Sequence, residues 1–163
     1  MKPIRYTTGD ATAPQTDGEA IVCHVCNDIG GWGRGFVLAL SAKWEAPEAG
    51  FREWHRHRNE NDYGLGAVLF VPVEESLWVA NMVAQRDIVS GPEGPPIRYE
   101  AVDTCIQKVA AFAADRGASV HMPRIGCGLA GGSWDRIEPI LVKHLCTRDV
   151  DVTVYDYDPA TSR

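Results

Sequence analysis

Two stretches of this 163-residue chain combine bare backbone with positions suited to holding phosphate. Residues 27–35 read NDIGGWGRG, and residues 125–135 read IGCGLAGGSWD. Each follows an apolar, strand-like run and precedes a segment with helical spacing. The first N–H groups of a helix have no partner within it, and the helix dipole favours negative charge there. Glycine lets a ligand come close to the main chain. Two such loops at strand ends can grip a diphosphate from both sides with N–H donors and no lysine. Neither matches the P-loop pattern G-x-x-x-x-G-K-[ST], nor G-x-G-x-x-G with an acidic residue at the right distance. The plain alternative is two ordinary strand-to-helix turns.

Other reactive residue types are scattered. Cys23-His24-Val25-Cys26 spells C-x-x-C, but no second pair with zinc spacing follows, and a strand puts Cys23 and His24 on opposite faces. No metal is expected. Cys127, beside a helix start, is either a thiol of lowered pKa or simply a small residue. FREWHRHR at 51–58 is basic and aromatic; it reads as a single-strand nucleic-acid contact or as an amphipathic helix with Phe51 and Trp54 inward.

The elements that must position these groups alternate. Strands are expected at 4–7, 19–25, 67–73, 77–83, 119–122 and 150–155, and helices at 36–43, 51–58, 99–116 and after Ser133. Gly117 closes the long helix, and the Gly/Pro run 91–96 is a loop. Alternating strands and helices imply an α/β sheet covered on both faces. The pair around residue 75 is close enough for a hairpin, so the sheet is mixed. The length suggests one domain, 1–163. A net charge of −6 argues against broad charge-driven nucleic-acid binding. No apolar run is long enough to span a membrane, and no signal peptide is visible. Five scattered cysteines fit a reducing, cytoplasmic setting.

Four pieces in order, YTTGDAT (6–12), HVCNDIGGWGRGF (24–36), MPRIGCGLAGG (122–132) and VTVYDYD (152–158), give the chain its resemblance to a macrodomain over nearly its whole length. MPRIGCGL and the terminal TVY resemble the branch of terminal ADP-ribose protein glycohydrolases, which includes antitoxin domains that remove ADP-ribose from DNA; GGWGRG is more similar to the yeast-type ADP-ribose-1″-phosphatases. The resemblance implies a three-layer α/β/α fold with a mixed six-stranded sheet and an ADP-ribose cleft at the strand C-termini. It implies that Asp10 accepts from the adenine amino group beside the backbone of Ala11, with Tyr157 near the adenine. Asn27, Gly33 and Gly35 line the distal ribose and diphosphate, and Arg124, Ile125, Gly126, Cys127, Gly128, Leu129 and Ala130 form the second phosphate and ribose loop. ADP-ribose is then ligand or product, no cofactor is needed, the substrate is an ADP-ribosylated protein or DNA, and the chain acts as a monomer away from membranes.

The resemblance fails at two positions. The lysine that relatives use as nucleophile aligns with Val83, counted here among the ligand-lining positions, and the aspartate after GCGL is Ala130. Hydrolysis then needs a positioned water. Asn27 with Gln85 or Asp28 is expected to place it, and Asn81 could if its strand exposes it. Asp28 is otherwise a solvated turn acid, Gln85 a strand-end residue and Asn81 a buried amide. His24 matches a histidine of the phosphatase-type relatives and reads as a proton-transfer group or as a core histidine with satisfied nitrogens. Trp32 reads as a cap over the distal ribose or a ring packed under the loop, and Arg34 as a phosphate contact or a solvated arginine. The alternatives to hydrolysis from a macromolecule are an ADP-ribose-1″-phosphatase and a non-catalytic ADP-ribose reader.

Overall fold

The computed structural model describes residues 1–92 and 94–157. Six strands run β1 (Arg5–Thr8), β2 (Ala20–Asn27), β3 (Val68–Glu74), β4 (Leu77–Gln85), β5 (Ser119–Met122) and β6 (Val152–Asp156). They form one sheet in the order β1-β6-β5-β2-β4-β3. Neighbours are parallel except β3 against β4, the hairpin expected from their short connection. Four helices cover the sheet: α1 (Phe36–Lys43), α2 (Ala46–Arg56), α3 (Tyr99–Arg116) and α4 (Trp134–His144).

Two cores give the three layers. On one face Val22, Cys26, Val79 and Val83 pack against Leu40, Phe51 and Trp54 of α1 and α2. On the other, Ile21, Cys23, Met82, Val120 and Val154 pack against Val102, Ile106 and Val109 of α3 and Ile137 and Leu141 of α4. The split between Cys23 and Cys26 follows from strand alternation. All five cysteines are free thiols. No described helix is long and apolar enough to cross a membrane.

The extents of α1, α3 and β5 agree with the sequence expectation, and Gly117 closes α3 at φ 63°. α2 differs: it begins at Ala46 and stops at Arg56. Pro47 occupies its first turn, where a missing N–H costs nothing. β6 is shifted to Val152–Asp156, and β2 runs on to Asn27.

That last residue matters. Parallel strands β2, β4, β5 and β6 all end at the same rim, so the segments that follow them meet there. A register shift after Cys26 sets Asn27 beside Gln85 and leaves Ala84 extra. Bulges of this kind re-aim side chains next to sites.

Candidate functional site

The two glycine loops face each other at the rim. A methyl built on Gly35 would lie 3.8 Å from Leu129 Cδ1, so the loops flank one groove. From Trp32 to Val37 no backbone N–H meets an acceptor among the described residues, and neither do those of Gly126, Gly128, Leu129 and Ala130. Gly35 caps α1 at φ 75° without a side-chain cap, and the first turn of α1 carries no acid. Unpaired N–H groups at an uncapped helix start are an anion cradle.

Side chains brace the cradle from behind. Asn27 Oδ1 accepts from the N–H groups of Ile29 (3.1 Å) and Gly31 (2.8 Å), and its Nδ2 donates to Gly31 O (2.9 Å). The Tyr63 hydroxyl donates to Asn27 O (2.8 Å) and accepts from Gly30 N–H (3.2 Å). The second loop wraps over residues 95–97: Ile97 N–H donates to Ala130 O (3.1 Å), and Gly132 N–H to Gly126 O (2.7 Å). A Cβ on Gly132 would stand 2.5 Å from that same oxygen. Gly132→Ala therefore displaces the loop, at a cost of about 1–3 kcal/mol; a fall in both denaturant midpoint and ligand affinity is the expected result.

One end of the groove widens into a cavity of about 410 Å³ lined by Gly9, Asp10, Ala11, Gly35, Phe36, Ala39, Pro123, Tyr155 and Tyr157. It brings together Asp10, Ala11, Gly35 and Tyr157, four positions expected from sequence. Phe36, Ala39, Pro123 and Tyr155 complete the lining without a site role expected from sequence; the first two share a face one turn apart at the start of α1. Asp10 Oδ1 accepts from Thr12 N–H (2.8 Å) and Thr12 Oγ1 (2.7 Å), which turns the backbone around Ala11 and leaves Oδ2 open. A second cavity of about 430 Å³ lies where β2 and β4 begin; its rim carries Asp17, Glu74 and Glu75, which repel a diphosphate.

Several side chains lie elsewhere than the functional reading needs. Val83 is fully buried in the core with Trp32 and Phe51, so it does not line the groove. Trp32 is only 7 % exposed; its indole N–H donates to Ser41 Oγ (2.8 Å), so the ring sits beneath the loop rather than over it. The Arg124 guanidinium is held by Asp156 at 2.7 and 3.1 Å, over the rings of Tyr6 and Trp134, so it is committed to a carboxylate rather than to phosphate. Ile125 is a core side chain, and only its backbone belongs to the loop. Burial raises the Cys127 thiol, whose Sγ donates to Ile125 O, so it is not a thiolate. Arg34, Gly33, Gly128 and Leu129 are exposed on the loops.

Asp28 Oδ1 accepts from Asp87 N–H (2.7 Å), and Gln85 Nε2 donates to Asp87 O (2.9 Å). Asp87 thus links both candidates at the far end of the groove, in a left-handed conformation (φ 60°) rare for a residue with a side chain. No sequence pattern marks it. Asn81 is buried and donates to Pro47 O (3.1 Å).

His24 is 2 % exposed, and its Nε2 pairs with Asn81 Oδ1. Burial pushes its pKa down to about 4. His121, held by Ser119 Oγ (2.7 Å) and the Tyr155 hydroxyl (2.8 Å), is pushed down to about 4 by burial and by Arg5. Above about pH 6.5, the value in an unfolded chain, neither state binds these protons and full stability is present. As pH falls toward 4 the unfolded chain takes them up first, so stability falls. Between pH 7 and 4.5 each histidine accounts for a loss of about 2–3 kcal/mol. Urea titrations of wild type and His24→Gln should show a smaller drop in the variant; equal drops would place His24 outside the buried core.

Comparison with known proteins gives the context. No family model matches the chain. A Streptomyces coelicolor structure described as a macrodomain protein is 53 % identical, covering 96 % of this chain and 100 % of that one, with a TM-score of 0.87. A Bacteroides thetaiotaomicron protein of unknown function is 54 % identical over 94 % of this chain and 98 % of its own, with a TM-score of 0.91. Among curated proteins, the zebrafish (Danio rerio) chromodomain-helicase-DNA-binding protein 1-like is 36 % identical over 98 % of this chain. The chain spans only 16 % of that relative and 18 % of its Mus musculus counterpart. An ADP-ribose 1″-phosphate phosphatase of Lodderomyces elongisporus is 28 % identical over 94 % of this chain and 99 % of its own.

Proposed function

The chain belongs to the macrodomain family, and on that premise we propose that it binds ADP-ribose between its two glycine loops and hydrolyses it from modified macromolecules. The observation that carries this reading is the double row of unpaired N–H groups flanking one groove, with a ring-sized cavity at its end. The adenine takes the cavity, with Asp10 Oδ2 accepting from its amino group and Tyr157 beside it. The diphosphate takes the cradle at Gly33–Gly35 and Gly126–Ala130, and the distal ribose lies toward Asn27 and Gln85.

In the reaction, the bond from the anomeric carbon to the carrier breaks and a bond to water oxygen forms. The water gives up a proton to the Asp28 carboxylate, the carrier group keeps the electron pair of the broken bond, and ADP-ribose leaves free. Such a step passes through an oxocarbenium-like state, so positioning and charge stabilisation matter more than nucleophile strength. Asn27 acts through the loop, because both lone-pair directions of its Oδ1 are used. Asp28 Oδ2 and Gln85 Oε1 are the acceptors left to orient the water.

Calorimetric titration with ADP-ribose tests the binding half: one molecule per chain is expected, and no heat at millimolar ligand would overturn the reading. The second reading, phosphate-monoester hydrolysis at ADP-ribose-1″-phosphate, is favoured by the likeness to the Lodderomyces phosphatase. It draws no support from His24, which is neutral and enclosed. Orthophosphate release from that substrate, at a rate above ADP-ribose release, would install it in first place.

A further inference from the structure

The last turn of α2 abuts the back of the first glycine loop. A Cβ on Gly30 would overlap the His55 imidazole, so the loop backbone packs directly against that ring. Beside this contact is a cavity of about 310 Å³ lined by Gly30, Arg52, His55, Arg56 and Arg58. Three arginines and no carboxylate line it, in a chain whose net charge is −6. Local structure uses only part of their donor capacity. Arg52 Nε pairs with Glu48 (2.8 Å), and Arg58 Nη1 donates to His55 O (2.9 Å), closing the helix. Arg56 meets no acceptor among the described residues. A guanidinium carries five N–H donors, so most of those on the three arginines are left unused by local structure. Complementing the helix C-terminus explains one cation, not three around a hollow.

We infer that this hollow binds a backbone phosphate of a nucleic-acid carrier whose ADP-ribose occupies the neighbouring groove. The inference rests on the groove binding ADP-ribose as proposed above. Gly30 of the 27–35 loop forms one side of the hollow, and the same loop runs on to the cradle before α1, so an anion in the hollow and a diphosphate in the cradle would be separated by one short segment. Arginine forks suit phosphate oxygens. A nucleic-acid strand offers phosphates at every step, so one falls within reach whichever nucleotide is modified. A peptide carrier has no such repeat. Trp54 is buried and its indole N–H is taken by Asp62, so the site reads charge and does not stack bases.

The test compares wild type with Arg52→Gln/Arg56→Gln, which leaves the loop and the Arg58 closure in place. Fluorescence anisotropy would follow three probes: an ADP-ribosylated single-stranded DNA, the same DNA unmodified, and an ADP-ribosylated peptide, with free ADP-ribose as competitor. The modified DNA is expected to bind wild type at least about tenfold more tightly than free ADP-ribose at low salt, a margin set by a few phosphate contacts. The double variant should lose that margin, with its log-log salt slope shallower by about 1.4 for two contacts on a single strand. Its affinity for free ADP-ribose and for the peptide should not change. Equal affinity of wild type for modified DNA and free ADP-ribose overturns the inference, as does a margin the variant keeps. Equal sensitivity of the peptide to the variant overturns it too, in favour of a general anion site. If free ADP-ribose does not bind, the groove reading fails, and the unmodified DNA still reports on the hollow: weak, salt-sensitive binding lost in the variant supports the phosphate site, and none overturns it.

Discussion

Gly128→Glu should fold like the wild type and lose at least about a hundredfold in affinity for ADP-ribose, the equivalent of about 3 kcal/mol. A Cβ at Gly128 meets nothing within 4 Å, and its φ is not in the left-handed region, so the substitution causes neither clash nor backbone strain. What it adds is a carboxylate among the N–H groups of Gly126, Leu129 and Ala130, where a phosphate is proposed to sit. The side chain competes for the same donors, and like charges set against each other cost several kcal/mol. Its neighbours provide the contrast. Gly126 is packed against Ile97 and Gly131 against Pro95, both at positive φ, so substitutions there damage the loop before any ligand is involved. Calorimetry checks the affinity, and an unchanged thermal midpoint checks the fold. Retained affinity in folded Gly128→Glu would mean that the phosphates lie on another loop.

Asn27→Ala carries the second large effect. It removes three hydrogen bonds within five residues and leaves the N–H groups of Ile29 and Gly31 without their acceptor. Each buried group left unpaired costs about 1–3 kcal/mol, less where water can enter. The loop then loses the shape that aligns residues 32–37 as donors. A stability loss of about 2 kcal/mol and a tenfold or larger weakening of ADP-ribose binding are expected. Asn27→Asp separates the two contributions: it keeps the acceptor for both N–H groups but sets a carboxylate oxygen against Gly31 O. It should retain more stability than Asn27→Ala. If Asn27→Ala binds ADP-ribose normally and loses only turnover, then Asn27 acts on the reacting water and not through the loop.

Much of the fold was legible because local signals agreed. The 3.6-residue spacing of Val102, Cys105, Ile106 and Val109, stopped by Gly117, marks α3 without tertiary information. The glycine loops were legible because few other compositions leave backbone so bare beside helix starts. What the sequence left open or did not reveal depends on partners far along the chain. Arg124 stands in the loop motif, and nothing near it in sequence shows that Asp156, 32 residues away, holds its guanidinium. Trp32 reads either as a cap over the ribose or as a ring under the loop, and only Ser41 and the ring of Phe51, which draw it inward, decide for the second. Val83 aligns with a catalytic position, while strand alternation and the packing of α2 assign it to the core. The helix expected at 51–58 begins five residues earlier, at Ala46, because Pro47 is tolerated in a first turn. The contact of Gly30 with His55 has no sequence signature at all.

The measurement that bears most directly on this account is release of free ADP-ribose from two substrates in parallel, ADP-ribosylated DNA and a glutamate-modified protein, by wild type and by Gly128→Glu. Release by wild type from at least one carrier, and none by the variant, is the expected result. No release from either carrier by wild type that still binds free ADP-ribose would contradict it and make the chain a reader of the modification.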